Sequence, residues 1–152
     1  MKKNKFEKAY DLTKNNLGCP ENCVICEDPA VMLLPGEAEF LSKKFSVPKE
    51  SIANRHKING HTVWMIAAEE NHCNFFKCGK CINRDIRCLD CRSYPVIPFL
   101  EKDRLSVRLD KKCPLVKENK ISAEFQENCL KAWKLVNPPK WWLKAYKKVC
   151  PE

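Results

Sequence analysis

The sequence predicts an α+β fold: one small domain of short helices, two β-hairpins and cysteine-rich loops stapled by metal. Three observations predict it. The chain has 152 residues, the size of one domain with a modest core. It carries 11 cysteines, eight of them in two clusters, "CPENCVIC" and "CNFFKCGKCINRDIRCLDC". Helical periodicity marks both ends of the chain, and β-type alternation flanks the second cluster. No internal repeat and no low-complexity linker divides the sequence, so residues 1–152 read as a single metal-cluster domain.

The elements follow in order. Residues 5–16 predict a first helix, with Phe6, Ala9, Tyr10, Thr13 and Leu17 near one face. Gly18 stops it just before the first cysteine cluster. "AVMLLP" is a short buried run ending at Pro35. "GEAEFLSKKF" sets Phe40, Leu41, Lys44 and Phe45 at helical spacing, and Glu37 and Glu39 suit the positive end of that second helix. "VPKESIANR" predicts a third, short helix opened by Pro48. "HKINGHTVWMIAA" carries Asn59-Gly60 and then alternating, β-branched residues, a hairpin signal. "RSYPVIPFLEKDRLSVRLD" reads as two short strands turning at residues 101–103, with Pro95 and Pro98 expected to keep the first irregular or at an edge. The cysteine-rich segment between these β elements is expected on loops. "SAEFQENCLKAWKLV" predicts a helix capped by Ser122, with Phe125, Cys129, Ala132, Trp133 and Val136 along one face. Asn137-Pro138-Pro139 ends it, and "KWWLKAYKKV" makes a last amphipathic helix.

Composition narrows the function classes. The opening "MKKNKFEKAYDL" is charged where a secretion signal needs an apolar run. No run of about 18 apolar residues is present, so no membrane span is expected. An odd number of cysteines cannot pair fully within one chain. A cytoplasmic protein in a reducing compartment seldom keeps disulfides, so cysteines clustered at short spacings there read as metal ligands. The formal net charge of +9 favours an acidic partner. The lysines are scattered, however, with no block of five, and a generally solvated basic surface is the plainer reading over a nucleic-acid footprint.

Nine cysteines are candidate ligands: Cys19, Cys23, Cys26, Cys73, Cys78, Cys81, Cys88, Cys91 and Cys113. Cys78 with Cys81, and Cys88 with Cys91, form C-x₂-C pairs, whose folded-back backbone lets two sulfurs face one metal. Zinc ribbons separate such pairs by about 15–20 residues, far more than here. Only one of the three histidines, His72, lies beside the cluster. An all-thiolate set suits an iron–sulfur cluster, [4Fe–4S] first, with zinc as the alternative. "CPENCVIC" has the C-x₃-C-x₂-C spacing of radical enzymes that use S-adenosylmethionine. Those need most of a β/α barrel, about 200 residues or more, and this chain has no βα repeats. The stretch is better read as one arm of a shared site closed by the later cysteines. Cys129 reads as a buried thiol, and Cys150 carries no assignment.

"EAEFLSKKF", "CNFF", "CINRDIRCLDCRSYP" and "KKCP" together resemble the YkgJ-type cysteine-cluster family of zinc- or iron-chelating domains. Cys73, Cys81, Arg87, Cys91, Arg92, Tyr94, Pro95 and Cys113 fall on positions that match its pattern. The resemblance covers residues 19–116, leaving residues 117–152 as C-terminal helices outside it. Cys88 stands where that family has proline, Cys78 is additional, and Cys26-Glu27 replaces an adjacent cysteine pair. The resemblance implies a metal-chelating, iron–sulfur-binding core and says little about activity, although related domains occur in flagellin lysine methylases.

Arg87 and Arg92 flank Cys91. They are candidates to compensate the charge of an anionic cluster or bind an anionic cofactor, or else anchor the loop to a carboxylate such as Asp85 or Asp90. Trp133, Trp141 and Trp142 present aromatic faces that stack on bases in nucleic-acid proteins, but helical spacing favours core and lid positions. The leading expectation is a small cytoplasmic iron–sulfur protein with a structural, electron-transfer or partner-enzyme role, meeting a protein or redox partner. A structural zinc module contacting nucleic acid or protein is the second reading. A catalytic subunit with an open metal site, for group transfer or protein modification, is the third. No catalytic residue is identified, so enzymatic activity is left open.

Overall fold

The computed structural model describes residues 2–14, 17, 19, 23, 25–78, 80–82 and 84–151. Helix α1 (Lys5–Leu12) opens with a capping box: the Asn4 side chain accepts from the Glu7 amide, and the Glu7 carboxylate accepts from the Asn4 amide. The helix stops at Thr13, two residues short of Asn15 and Asn16, which with the Gly18 stop lie outside the described residues. Strand β1 (Met32–Leu33) is the expected buried run. Helix α2 (Glu37–Phe45) follows it, with both glutamates in its first turn.

The third helix is shorter than its sequence reads. Helix α3 (Lys49–Ile52) ends where Ala53 turns extended, and residues expected to continue it form strand β2 (Ala53–Ile58). Six residue pairs with β3 (His61–Ile66) outweigh the weak helical preference of that stretch. The turn between them is Asn59-Gly60, both with positive φ (53° and 78°), the tight hairpin turn that asparagine and glycine adopt without strain. β1 pairs with the other edge of β3, giving an antiparallel sheet in the order β1-β3-β2.

The cysteine-rich segment is more ordered than loops. It forms two small hairpins, β4 (Ala68–Glu69) with β5 (His72–Cys73) and β6 (Phe76–Lys77) with β7 (Lys80–Cys81). A 3-10 turn at Arg84–Ile86 leads into helix α4 (Leu89–Ser93). Strand β8 (Val96–Glu101) then pairs with β9 (Arg104–Leu109) over six residues, turning at Lys102-Asp103. Pro98 sits within the β8 ladder opposite Val107. A two-stranded ribbon leaves each strand one unpaired edge, and that edge tolerates the missing amide. Helix α5 (Pro114–Lys117) is a single turn; α6 (Ala123–Val136) starts at the Ser122 cap, whose hydroxyl accepts from the Phe125 amide. Helix α7 (Lys140–Val149) closes the fold.

Helices α1 and α6 pack together, α6 also lies against β8 and β9, and α7 against β8. The core they enclose contains Met32, Leu33, Leu41, Trp133 and Trp142, all essentially excluded from solvent. Each buried indole finds an acceptor: Trp142 donates to the Leu33 carbonyl at 2.9 Å, and Trp133 to the Ser93 hydroxyl at 3.1 Å. A second, smaller apolar cluster gathers Val96, Cys113, Leu115, Phe125 and Cys129. Among the described residues two carboxylates are buried. Glu37 accepts from the Tyr10 hydroxyl at 2.7 Å and from the Leu34 and Leu89 amides at 2.8 and 2.6 Å. Asp90 accepts from the Tyr146 hydroxyl at 2.8 Å and the Met32 amide at 3.0 Å. The described helices, strands and hairpins make a small α+β domain, and none of its helices is long and apolar enough to cross a membrane.

Candidate metal centre

A cavity of about 150 Å³ lies between the β hairpins, α4 and the end of α7. Five cysteines line it: Cys26, Cys73, Cys81, Cys91 and Cys150. Each arrives on a different element. Cys26 comes from a 3-10 turn at Ile25–Glu27 that packs against β5. Cys73 ends β5, Cys81 ends β7, Cys91 lies in α4, and Cys150 caps α7. Ile66, Phe75 and Phe76 supply apolar wall, while Arg87 and Lys112 supply positive charge and Asp28, Asp90 and Asp110 supply carboxylates.

Three further candidate cysteines gather on the Cys26 side. Burial pushes the Cys26 thiol up to about 11, and the neighbouring thiols of Cys19, Cys23, Cys113 and Cys81 add to that rise. Cys19 is raised for the same reasons, with Arg84 and Arg87 partly offsetting the effect. The fold thus brings the N-terminal arm to Cys113, at the start of α5, and to the cavity. Burial also raises Cys73, although the Phe75 and Phe76 amides hydrogen-bond its sulfur and oppose the shift. Such amide–sulfur bonds stabilise a thiolate once it forms.

The two C-x₂-C pairs behave differently. Cys78 is exposed, at a left-handed turn position (φ 52°) between β6 and β7, while Cys81 faces the cavity. Cys88 is fully buried in the core at the start of α4, hydrogen-bonded to Cys91, and its thiol is held well above the ordinary value by that bond first and by burial second. Cys129 lies in the second apolar cluster with its thiol toward the Ser93 carbonyl at 3.8 Å, pushed up to about 12 by burial. Among the described residues, no three His, Cys, Asp or Glu side chains stand close enough together to hold a metal ion as they are.

The two arginines also part company. Arg87 lines the cavity and feels the Cys19 thiol. Arg92 donates to the backbone carbonyls of Arg87 and Asp85 and lies over the Tyr10 ring, 4.1 Å from its centroid. It therefore clamps the 84–88 turn onto α1 through carbonyls, where a carboxylate anchor was one expectation. Trp133 and Trp142 are core residues, and Trp141 stacks on His61 at 4.5 Å. The residue that the sequence reading left out of the site is Cys150. Its sole signal was its i, i+4 relation to Tyr146 on the inner face of an amphipathic helix.

The chemistry that such a set allows is metal chelation by thiolates. Thiols with raised pKa are protonated at neutral pH, so a metal must displace protons to bind. No family model matches the chain, and neither a curated protein nor a solved structure shows significant similarity to it.

Proposed function

We propose that the protein holds an iron–sulfur cluster, [4Fe–4S] in the first instance, in the cysteine-lined cavity and serves as a redox or docking component for a partner protein in a reducing, cytoplasmic compartment. The observation that carries this reading is the convergence of five cysteines, from five separate elements, on one cavity of about 150 Å³. A space of that size takes a group of about benzene's bulk. A single zinc needs far less, because four sulfurs at about 2.3 Å collapse around one point. The donor chemistry agrees: soft thiolates are the usual ligands of iron–sulfur clusters. The YkgJ-type resemblance points the same way.

Cys26 is exposed as a residue although its thiol, turned to the cavity, is desolvated, and this supports a cluster with one side near the surface. That position suits exchange of an electron with a docked protein. The chain's net charge of +9 favours an acidic partner face. Purification under nitrogen from iron-replete cells, followed by iron and acid-labile sulfide analysis, tests the reading. The expected result is a brown protein with both elements and a broad visible band bleached by a reductant. Stoichiometric zinc without iron or sulfide refutes it in favour of the zinc module.

A further inference from the structure

We propose that Cys150 is a ligand of the metal group, delivered to the site by the C-terminal helix. The inference rests on the cluster reading above and concerns which sulfurs bind.

The cysteines of this chain fall into distinct environments. Cys129 is enclosed in apolar side chains away from the cavity, and Cys78 projects at a turn. Cys150 belongs with neither: it is one of the five that line the cavity. With Cys73, Cys81 and Cys91 it brings thiols from four elements to the wall of one cavity, with Cys88 hydrogen-bonded to Cys91 beside them. No three of them lie at metal-holding distance as they stand, and binding one cubane, which takes four, draws them inward. Cys26, the fifth, is the one surrounded by Cys19, Cys23 and Cys113.

Its position is held from several directions. Trp142 and Tyr146 bury the inner face of α7 in the core. The Tyr146 hydroxyl donates to Asp90, the residue next to Cys91, so one hydrogen bond ties the end of α7 to the helix bearing another cavity thiol. The Cys150 amide donates to the Tyr146 carbonyl at 2.8 Å, and its carbonyl accepts from Arg108 at 3.4 Å. A ligand on an element fixed in this way is preorganised. Arg108 adds a second, independent observation. Its Nε–H is buried and has no acceptor among the described residues, and the same guanidinium reaches the Cys150 carbonyl at 3.4 Å. Buried donors are nearly always paired, and cluster-bound sulfur accepts such bonds.

The test uses the full chain as purified without oxygen. Wild-type protein, metal-loaded and after chelation, is treated with iodoacetamide, and alkylation of the Cys150 peptide is followed by mass spectrometry. Cys150 is expected to react at least about tenfold more slowly in the loaded protein, since only a free thiolate is the nucleophile. In parallel, Cys150→Ser and Cys150→Ala are compared with Cys129→Ser as a control for loss of a buried thiol. Loss of a ligand is expected to lower retained iron and sulfide by more than the roughly 10- to 100-fold affinity cost of losing an outer-shell partner, with Cys129→Ser at the parental level. Equal alkylation of Cys150 with and without metal, together with parental iron in both variants, overturns the proposal and leaves the cluster reading standing. Wild-type protein that takes up neither iron nor sulfide overturns both. The alkylation arm needs no variant to fold.

Discussion

Replacing Glu37 by alanine is expected to remove a large part of the stability of this protein, and to do so through hydrogen bonds more than through volume. The carboxylate is wholly buried and accepts three bonds, from Tyr10 on α1, Leu34 beyond β1 and Leu89 at the start of α4. The last contact is unusual: Cys88, the residue before α4, offers no side-chain cap, so Glu37 satisfies that helix end from outside. Alanine strands all three donors. At about 1–3 kcal/mol for each buried donor left unpaired, the loss is on the order of 3–9 kcal/mol, against a total stability of about 5–15 kcal/mol for a domain. Burial raises the Glu37 pKa, so relief of that desolvation moves the value toward the low end. Glutamine is the informative comparison. Its carbonyl oxygen keeps Tyr10 and Leu89, and its amide meets the Leu34 N–H donor to donor. One stranded donor costs about 1–3 kcal/mol, or a fall of about 2–12 °C in Tm for a chain of this length. Thermal unfolding followed by circular dichroism ranks the three proteins: parent, then Glu37→Gln, then Glu37→Ala. An alanine variant melting within about 2 °C of the parent, or above the glutamine variant, refutes the reasoning.

Asp90 gives a pH dependence with a definite sign. Burial pushes its carboxyl up to about 7, against hydrogen bonds from Tyr146 and Met32; a folded-state pKa raised above the unfolded value means stability that is full at low pH and lost as pH rises through 7. The loss accrues between the unfolded value of about 4 and pH 7, about 4 kcal/mol in all at about 1.4 kcal/mol per pH unit; melting curves at pH 5 and pH 8 are expected to show about 3 kcal/mol of it, with Asp90→Asn flattening the difference. Removing the metal by chelation is expected to lower the melting temperature and broaden the transition, because binding energy of a structural metal is folding energy; an unchanged calorimetric trace contradicts this. Trp142→Phe leaves the Leu33 carbonyl without its indole donor and is expected to cost about 1–3 kcal/mol in urea unfolding, whereas Trp141→Phe, at a half-buried ring that stacks on His61 and packs on the edge of the core, is expected to cost less.

Local chemistry made most of the helices and both long hairpins legible. Asn59-Gly60 announces its turn because glycine and asparagine accept positive φ; Ser122 and Asn137-Pro138-Pro139 bracket α6 by capping and by backbone prohibition. The small hairpins were not legible. The first turns at Glu70-Asn71, with no glycine, and the second at Cys78, where Gly79 follows in the sequence but is crowded by cysteines at metal-ligand spacing; two-residue strands show no periodicity. The failed extension of α3 has a different origin: β2 forms because β3 is there to pair with it, a tertiary fact. At the site, spacing located the cysteines but not their directions. Of the two C-x₂-C pairs, Cys88 is hydrogen-bonded to Cys91, whereas Cys78 is exposed at a turn and Cys81 lines the cavity. Glu37 read as a helix-end charge and also serves as a buried acceptor for three elements. Cys150 carried no assignment because it lies near the end of the sequence, far from either cysteine cluster, and only the seating of α7 brings it to the cavity.

The walls of the cavity come from far-apart stretches of the chain, from Cys26 to Cys150, and this sets an order in time. During synthesis at about 5–20 residues per second, residue 150 follows residue 91 by roughly 3–12 s. Until α7 docks Trp142 and Tyr146, one side of the chamber is missing, and the thiols already made face open water and one another. Whatever fills the chamber is enclosed only after the final helix has seated. During that interval the reduced thiols are open to water and oxygen, which the seated helix later excludes from that side.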